Sequence, residues 1–339
     1  MKKINVLSLY DGVSSGRVAM GKAGISVGKY YSSEIDPYAL KVANKNWPED
    51  VVNRMGDILN WIEWDIDFSS IDLILAGPPC QSFSLLGSQK GFEDRRGDLM
   101  LTFFDILDHV KRLNPSVKFL MENVKMKPLY MSAITKKLGA EPAKINTSHF
   151  LPQSRTRFYW SNFLWSPIKY ADDCSICEDT EETYCDECDC LYADCSCIGP
   201  HEDNVIFDED YERGFRLPEE SVHFSEIVNE KGWSPATVRK GDPRRVVYTN
   251  EVFGCLTASY YKGIRSDGRP AIAKCEGVFD EMRGRGEVRM LSPEECELLQ
   301  GLPEGYTKGI SKTQRYKCVG NGWSVDVIAK ILENFLLTK

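Results

Sequence analysis

The chain lacks any stretch approaching the ~18 uninterrupted apolar residues that a membrane span requires, which excludes a helical membrane protein. Met1 to Asp11 holds too short an apolar run for a secretory signal, so a cytoplasmic protein is expected. Internal repeats are absent too, which sets aside solenoids and propellers. The most local absence lies between Ala171 and Glu212, where there is neither Lys nor Arg but there are sixteen Asp and Glu. Taking those sixteen charges from a net charge of −8 leaves the rest of the chain at +8. A basic body carrying an acidic segment is compatible with phosphate binding, which the whole-chain charge hides.

The 339 residues are many for one core, and the 42% apolar content is ample for burial, so a main domain with a smaller second lobe is expected. Ile4 to Tyr10, Val27 to Asp36, Val51 to Ile58, Ile71 to Pro78 and Val117 to Val124 read as strands. Gly16 to Gly24, Pro37 to about Trp47, Gly97 to Leu113 and Pro128 to Leu138 read as helices between and after them. Leu99, Phe103, Ile106, Leu107 and Val110 form an apolar stripe on the third of these. Ala143 to Phe150 and Arg157 to Phe163 read as two closing strands. This alternation predicts an α/β fold with an open, mostly parallel, doubly wound sheet. The pattern breaks at Trp165 and returns as helices over Arg289 to Gln300 and Ser324 to Leu337. The expected division is 1–164, then 165–285 containing the acidic insert 171–212, then a return to the first domain over 286–339.

Four short runs carry the chemistry. Gly77-Pro78-Pro79-Cys80-Gln81-Ser82 ends the fourth predicted parallel strand, and Met121-Glu122-Asn123-Val124 ends the fifth. Gln153-Ser154-Arg155-Thr156-Arg157 and Gly320-Asn321-Gly322-Trp323-Ser324-Val325 follow. Asp11-Gly12 and Gly16 stand after the first strand. In this order the set resembles the cytosine-5 DNA methyltransferases over nearly the whole chain outside 165 to 285. Leu7 to Gly12, Arg157 to Trp160 and Gly322 to Val325 are closest in detail to the animal de novo branch of that family.

The resemblance implies a Rossmann-like S-adenosylmethionine-dependent domain with a target-recognition lobe, acting on double-stranded DNA by base flipping, in a restriction-modification or related setting. It makes Cys80 the nucleophile that adds to cytosine C6. A lone thiol is more often buried and inert, and only the motif setting separates Cys80 from that outcome. Glu122 is implied to protonate or hydrogen-bond N3, Arg157 to hold the base and steady Glu122, and Arg155 to contact phosphate or loops. Asn123 is expected to brace the Cys80 loop. For the methyl donor the implied residues are Tyr10, Asp11, Gly12, Gly16, Glu34 for the ribose, Asp57 and Ile58 for adenine, Pro78, Trp323, Ser324 and Val325. Asp36 is expected to cap the helix that begins at Pro37. Ser84 to Asp98 resembles the loop that closes over the extruded nucleotide.

Seven of the twelve cysteines fall between Cys174 and Cys197. Cys174-x-x-Cys177 and Cys185-x-x-Cys188, followed by Cys190, Cys195, Cys197 and His201, suit structural zinc better than disulfides in a chain without an export signal. A thiol-rich insert without metal is the alternative. DNA reading is expected of Arg239, Lys240, Arg244, Arg245, Lys262, Arg265 and Arg269, with Tyr260 and Tyr261 as either core or contact. Two rivals remain: the tRNA-modifying branch of the same family, and a noncatalytic DNA-binding relative.

Overall fold

The central strands of the main sheet are apolar on both sides, and the chain covers both. β1 (Ile4–Leu9), β2 (Val27–Ser33), β3 (Arg54–Gly56), β4 (Leu73–Ala76), β5 (Lys118–Asn123), β6 (Ala143–Asn146) and β7 (Thr156–Ser161) assemble in the order β3-β2-β1-β4-β5-β7-β6. The computed structural model describes residues 3–79, 97–163, 184–185, 190–191, 222–228, 235–237, 246–248, 252–262, 271–273, 279–280 and 285–337. β1 to β5 pair in parallel, whereas β7 runs antiparallel to β5 and to β6. The expected α/β, doubly wound fold is the one adopted.

Because side chains alternate along a strand, successive residues feed two different cores. Leu73, Leu75, Leu120 and Tyr159 join one, packed with α1 (Ser15–Lys22) and α8 (Val325–Leu337). Ile74, Ala76, Phe119, Met121, Phe158 and Trp160 join the other, beneath α3 (Gly97–Leu113) and α4 (Pro128–Leu138). The α3 stripe predicted from periodicity is buried at Phe103, Ile106, Leu107 and Val110, and α8 buries Val325, Ile328, Leu332 and Phe335. α2 (Pro37–Asn46) begins where Asp36 accepts the Tyr38 and Ala39 amides, with Pro37 as its first residue.

Register sets the functional edge. Leu9 lies opposite Ser33 and Ala76, and Ala76 opposite Met121, so the parallel strands end in one row. Tyr10, Glu34, Gly77 and Glu122 are the next residues out. β7 starts at the same edge, because Phe158 pairs with Asn123 in the antiparallel direction. Arg157 and Arg155 are thereby delivered beside the carboxyl end of β5.

Three predicted elements differ. Residues 48–53 form a 3-10 turn that leaves Val51 and Val52 exposed, and only Arg54–Gly56 is strand. Residues 147–149 are likewise a 3-10 turn after a short β6. The predicted helix at Arg289 starts later: α6 (Pro293–Leu299) is nucleated by a reciprocal Ser292–Glu295 capping box, while 285–289 is strand. α7 (Lys312–Asn321) was not legible in the sequence.

After α5 (Phe224–Ile227), a second sheet is built from β10 (Pro235–Thr237), β11 (Val246–Tyr248), β12 (Ala271–Ala273), β13 (Phe279–Asp280) and β14 (Arg285–Arg289), in the order β10-β14-β12-β11 with β13 also on β14. Residues 165–214 form a separate unit, in which β8 (Tyr184–Cys185) pairs antiparallel with β9 (Cys190–Leu191) and Cys185 lies opposite Cys190. No helix among the described residues is long and apolar enough to cross a membrane.

Candidate active site

The turn from β1 to α1 is held in an uncommon conformation. Tyr10 and Ser14 have φ of 59° and 61°, with Gly12 at 56° between them. Each non-glycine residue in that region costs on the order of 1 kcal/mol, so the surroundings must enforce it. Asp11 does so from within: its carboxylate accepts hydrogen bonds from the hydroxyls of Ser8, Ser14 and Tyr30 and pairs with Arg54 at 3.0 Å. With all four acceptor positions taken, Asp11 shapes the turn instead of offering a free carboxylate to a ligand. Burial, reinforced by Asp11, pushes the Tyr30 hydroxyl well up, so it remains a donor. The Tyr10 hydroxyl, also pushed up by burial and by Asp57, donates to the Leu99 carbonyl.

Glu34 stands at the end of β2 and is fixed by three backbone amides: Gly12 at 2.8 Å, Ile35 at 2.7 Å and Asp36 at 2.8 Å. Trp323, between α7 and α8, closes the opposite side, and Gly77 makes room for it, while Gly16 makes room for Leu75. A Cβ on Gly77 would lie 2.6 Å from Trp323 Nε1, and one on Gly16 would lie 2.9 Å from Leu75 Cδ1.

At the end of β5, Glu122 Oε1 meets Arg157 Nε at 2.9 Å, both side chains being largely buried. Burial works against the Arg157 charge, but Glu122 and Cys255 outweigh it and raise its proton affinity. Arg155 is buried and donates to the carbonyls of Leu256 at 3.1 Å, Gly320 at 3.4 Å and Gly322 at 3.0 Å. Its contacts are with loops, and burial followed by the neighbouring Arg157 lowers its proton affinity. Asn123 donates to the Pro78 carbonyl at 3.4 Å, bracing the segment that leads to Cys80.

These groups share one cavity of about 310 Å³. Its walls include Tyr10, Asp11, Gly12, Gly16, Glu34, Pro78, Glu122, Arg155, Arg157 and Trp323 from the sequence reading. Ser8 and Ser15, to which the sequence reading gave no role, also line it, as do Gly77, Pro79, Val124, Gly320 and Asn321 of the motif runs, to which it gave no individual role. Asp57, Ile58, Ser324 and Val325 are not among the lining residues. Asp57 accepts the Leu59 amide at 3.0 Å, while Ile58, Ser324 and Val325 are buried in packing. Cys80, the expected closing loop from Ser84 through Arg96, the metal-ligand candidates other than Cys185 and Cys190, and Arg239, Lys240, Arg244, Arg245, Arg265 and Arg269 lie outside the described residues. Tyr260 is core: it is fully buried, and its hydroxyl accepts the Leu291 amide at 2.9 Å.

Comparison with known proteins agrees with this geometry. The family model for C-5 cytosine-specific DNA methylase matches residues 4–128 and 202–336. The type II methyltransferase M.NgoBI of Neisseria gonorrhoeae is 30% identical over 95% of this chain and 90% of its own length. M.HhaI, a type II methyltransferase of Haemophilus parahaemolyticus, is 28% identical over 98% of this chain and 94% of its own. Among solved structures, the Entamoeba histolytica methyltransferase EhMeth superposes with a TM-score of 0.67 at 19% identity, covering the whole of both chains, a likeness of fold. An ordered motif set, a methyltransferase fold and a family model matched over most of the sequence coincide, and the chain belongs to the C-5 cytosine-specific DNA methylase family.

Proposed function

We propose that the protein transfers a methyl group from S-adenosylmethionine to C5 of a cytosine extruded from double-stranded DNA, with Cys80 adding transiently to C6. The observation that carries this reading is the single cavity in which the β1, β2 and Trp323 walls meet Glu122 and Arg157, bounded by Pro78 and Pro79, to which Cys80 is directly joined.

The residues present fit the donor. Ser15 has a buried hydroxyl without a partner among the described residues, and the wall at Gly12, Gly16 and Gly77 carries no side chains. Tyr10, Gly12, Gly16, Glu34, Pro78 and Trp323 would hold the donor, with Asp57, Ile58, Ser324 and Val325 behind them. When bound, S-adenosylmethionine supplies the electrophilic methyl group that C5 takes. The chain's own residues make C5 able to take it. The Cys80 thiolate attacks C6, and the charge driven into the ring is relieved where Glu122, held by Arg157, meets N3. An ordinary thiol near pKa ~8.5 is only a few per cent ionised at neutral pH, a deficit of about 2 kcal/mol that the site must offset. Loss of the C5 proton to water or another base then expels Cys80 and restores the ring. C6 is stacked within a duplex, so the base must leave the helix first.

A duplex containing 5-fluorocytosine, mixed with protein and S-adenosylmethionine, should give a covalent complex that survives denaturation, because no C5 proton can depart. No complex, or one through another residue, would falsify the reading. Running duplex DNA and tRNA in parallel separates DNA methylation from the tRNA alternative, and any methyl transfer excludes a noncatalytic relative. Glu122→Gln keeps the shape but removes the carboxyl group that meets N3 and is expected to lower kcat by about a hundredfold or more, with DNA binding retained.

The recognition lobe is assigned to 165–285, supported by β10 to β14 forming a sheet of their own beside the seven-stranded one, although 215–339 belongs to the same compact unit as the main domain. For the cysteine-rich insert we propose structural zinc, supported by the cross-strand pairing of Cys185, which opens the second Cys-x-x-Cys, with Cys190 just after it. About one zinc or more per chain is expected from protein purified without chelator, since each tetrahedral site uses four ligands. A content below about half an equivalent removes the assignment.

A further inference from the structure

Arg155 presents a problem of charge. It is buried to 4% exposure, and its guanidinium contacts are three carbonyl oxygens and one sulfur. Among the described residues no carboxylate lies within ion-pair distance of it. Glu122, the nearest acidic group named in the site, is engaged by Arg157. A buried guanidinium with no anion is costly enough that one is expected nearby.

The sulfur belongs to Cys255. It lies 3.6 Å from Arg155 Nη1 and 3.9 Å from Arg157 Nη2, and its other contact is the Leu256 carbonyl at 3.8 Å. The two arginines face it from β7 and the loop before it, and Glu122 on β5 reaches it through Arg157. We propose that Cys255 is a positioning residue for methyl transfer, its thiolate serving as the anion shared by Arg155 and Arg157. Through Arg157 it steadies Glu122 at the base edge, and through Arg155 it ties that edge to the Gly322 carbonyl beside Trp323 on the donor side.

Cys296 and Cys318 behave differently. Burial pushes Cys318 up to about 12 and Cys296 well above its ordinary value. Burial alone would also raise Cys255, but the Arg155 and Arg157 charges outweigh it and hold this thiol below its ordinary value. Because folding favours the ionised form, the stabilisation is complete above the unfolded thiol's pKa and is lost as pH falls through the folded one.

The proposal rests on the cytosine reading for its catalytic consequence but not for its charge. The ionisation is therefore measured in Cys80→Ser protein, as the difference in thiolate absorbance against pH between that protein and the same protein also carrying Cys255→Ser. The expected midpoint is below that of the urea-unfolded chain; one at or above it overturns the proposal. Should the double variant fail to fold, the rate of iodoacetamide labelling at Cys255 against pH reads the same ionisation. In the active protein, Cys255→Ser is nearly isosteric but uncharged and should lose about tenfold in kcat with the S-adenosylmethionine KM within about twofold. Cys255→Asp should recover part of that loss. Serine at wild-type kcat, or equal loss in both variants, makes the role steric and overturns the proposal. Wild-type protein inert on DNA would defeat the cytosine reading, while the absorbance difference would still report the ion pair.

Discussion

Cys80→Ala protein is expected to bind duplex DNA and S-adenosylmethionine with wild-type affinity and to transfer no measurable methyl group. C5 of cytosine is too weak a nucleophile to attack an electrophilic methyl group unaided. In the proposed mechanism the thiolate's addition at C6 gives it enamine character, so removing the sulfur removes the route and does not merely slow one step of it. Loss of a covalent nucleophile in enzymes costs about 10⁴ to 10⁶ in kcat, equivalent to ~5–8 kcal/mol of transition-state stabilisation. Binding should survive, because the cavity is walled by Pro78, Pro79, the β1 turn, Glu34 and Trp323, none of which depends on the sulfur. Tritium transfer into duplex DNA measures the first part, and calorimetric titration with each substrate the second. A residual rate within about a hundredfold of wild type would mean that C5 is activated by some other group.

Much of this arrangement was readable because it is local. Strands buried on both faces read as continuous apolar runs, as in Leu73–Ala76, and a capping Asp36 before Pro37 marks a helix start without any tertiary information. The motif residues were given their roles by the family resemblance, and the structure puts several of them at the carboxyl edge of the parallel sheet, where ligands bind in such folds. Val51 and Val52 misled because β-branched pairs resemble a strand, whereas Pro48 begins a 3-10 turn that leaves both in solvent. α7 was illegible because Lys312 to Lys317 carries no apolar stripe; its helix is set by Tyr316, Cys318 and Val319 packing against distant residues. Partnerships across the chain were equally invisible. Arg54 fills Asp11 from 43 residues away, and Cys255 meets Arg155 from 100 residues away. The sequence therefore named Asp11 as a ligand group and passed over Cys255, since neither role is expressed in neighbouring residues.

Gly320→Ala should damage the whole molecule, although it adds only one methyl group. Gly320 lies near the end of α7, against the backbone of residues 257 and 258. A Cβ there would fall 2.3 Å from the Ala258 nitrogen, 2.3 Å from the Thr257 carbonyl carbon and 2.6 Å from its oxygen. Backbone atoms cannot rotate aside as a side-chain terminus can, so α7 or the 252–262 segment must move. That joint is tightly determined. The Gly320 carbonyl accepts from Arg155, the Val319 carbonyl accepts from Gln300 at 2.9 Å, and the Leu256 amide donates to Gln153 at 2.9 Å. Gln153 in turn donates to the Leu299 carbonyl at 2.8 Å, locking the loop before β7 to α6. Forced overpacking of a rigid interface costs ~1–3 kcal/mol or more, a large share of the ~5–15 kcal/mol that holds a protein folded. A fall in melting temperature of roughly 1.5–4 °C is expected by calorimetry. Because Gly320, Gly322 and Trp323 line the cavity, S-adenosylmethionine affinity should fall with it. A variant with wild-type melting temperature and donor affinity would show that the 252–262 segment does not seat against α7.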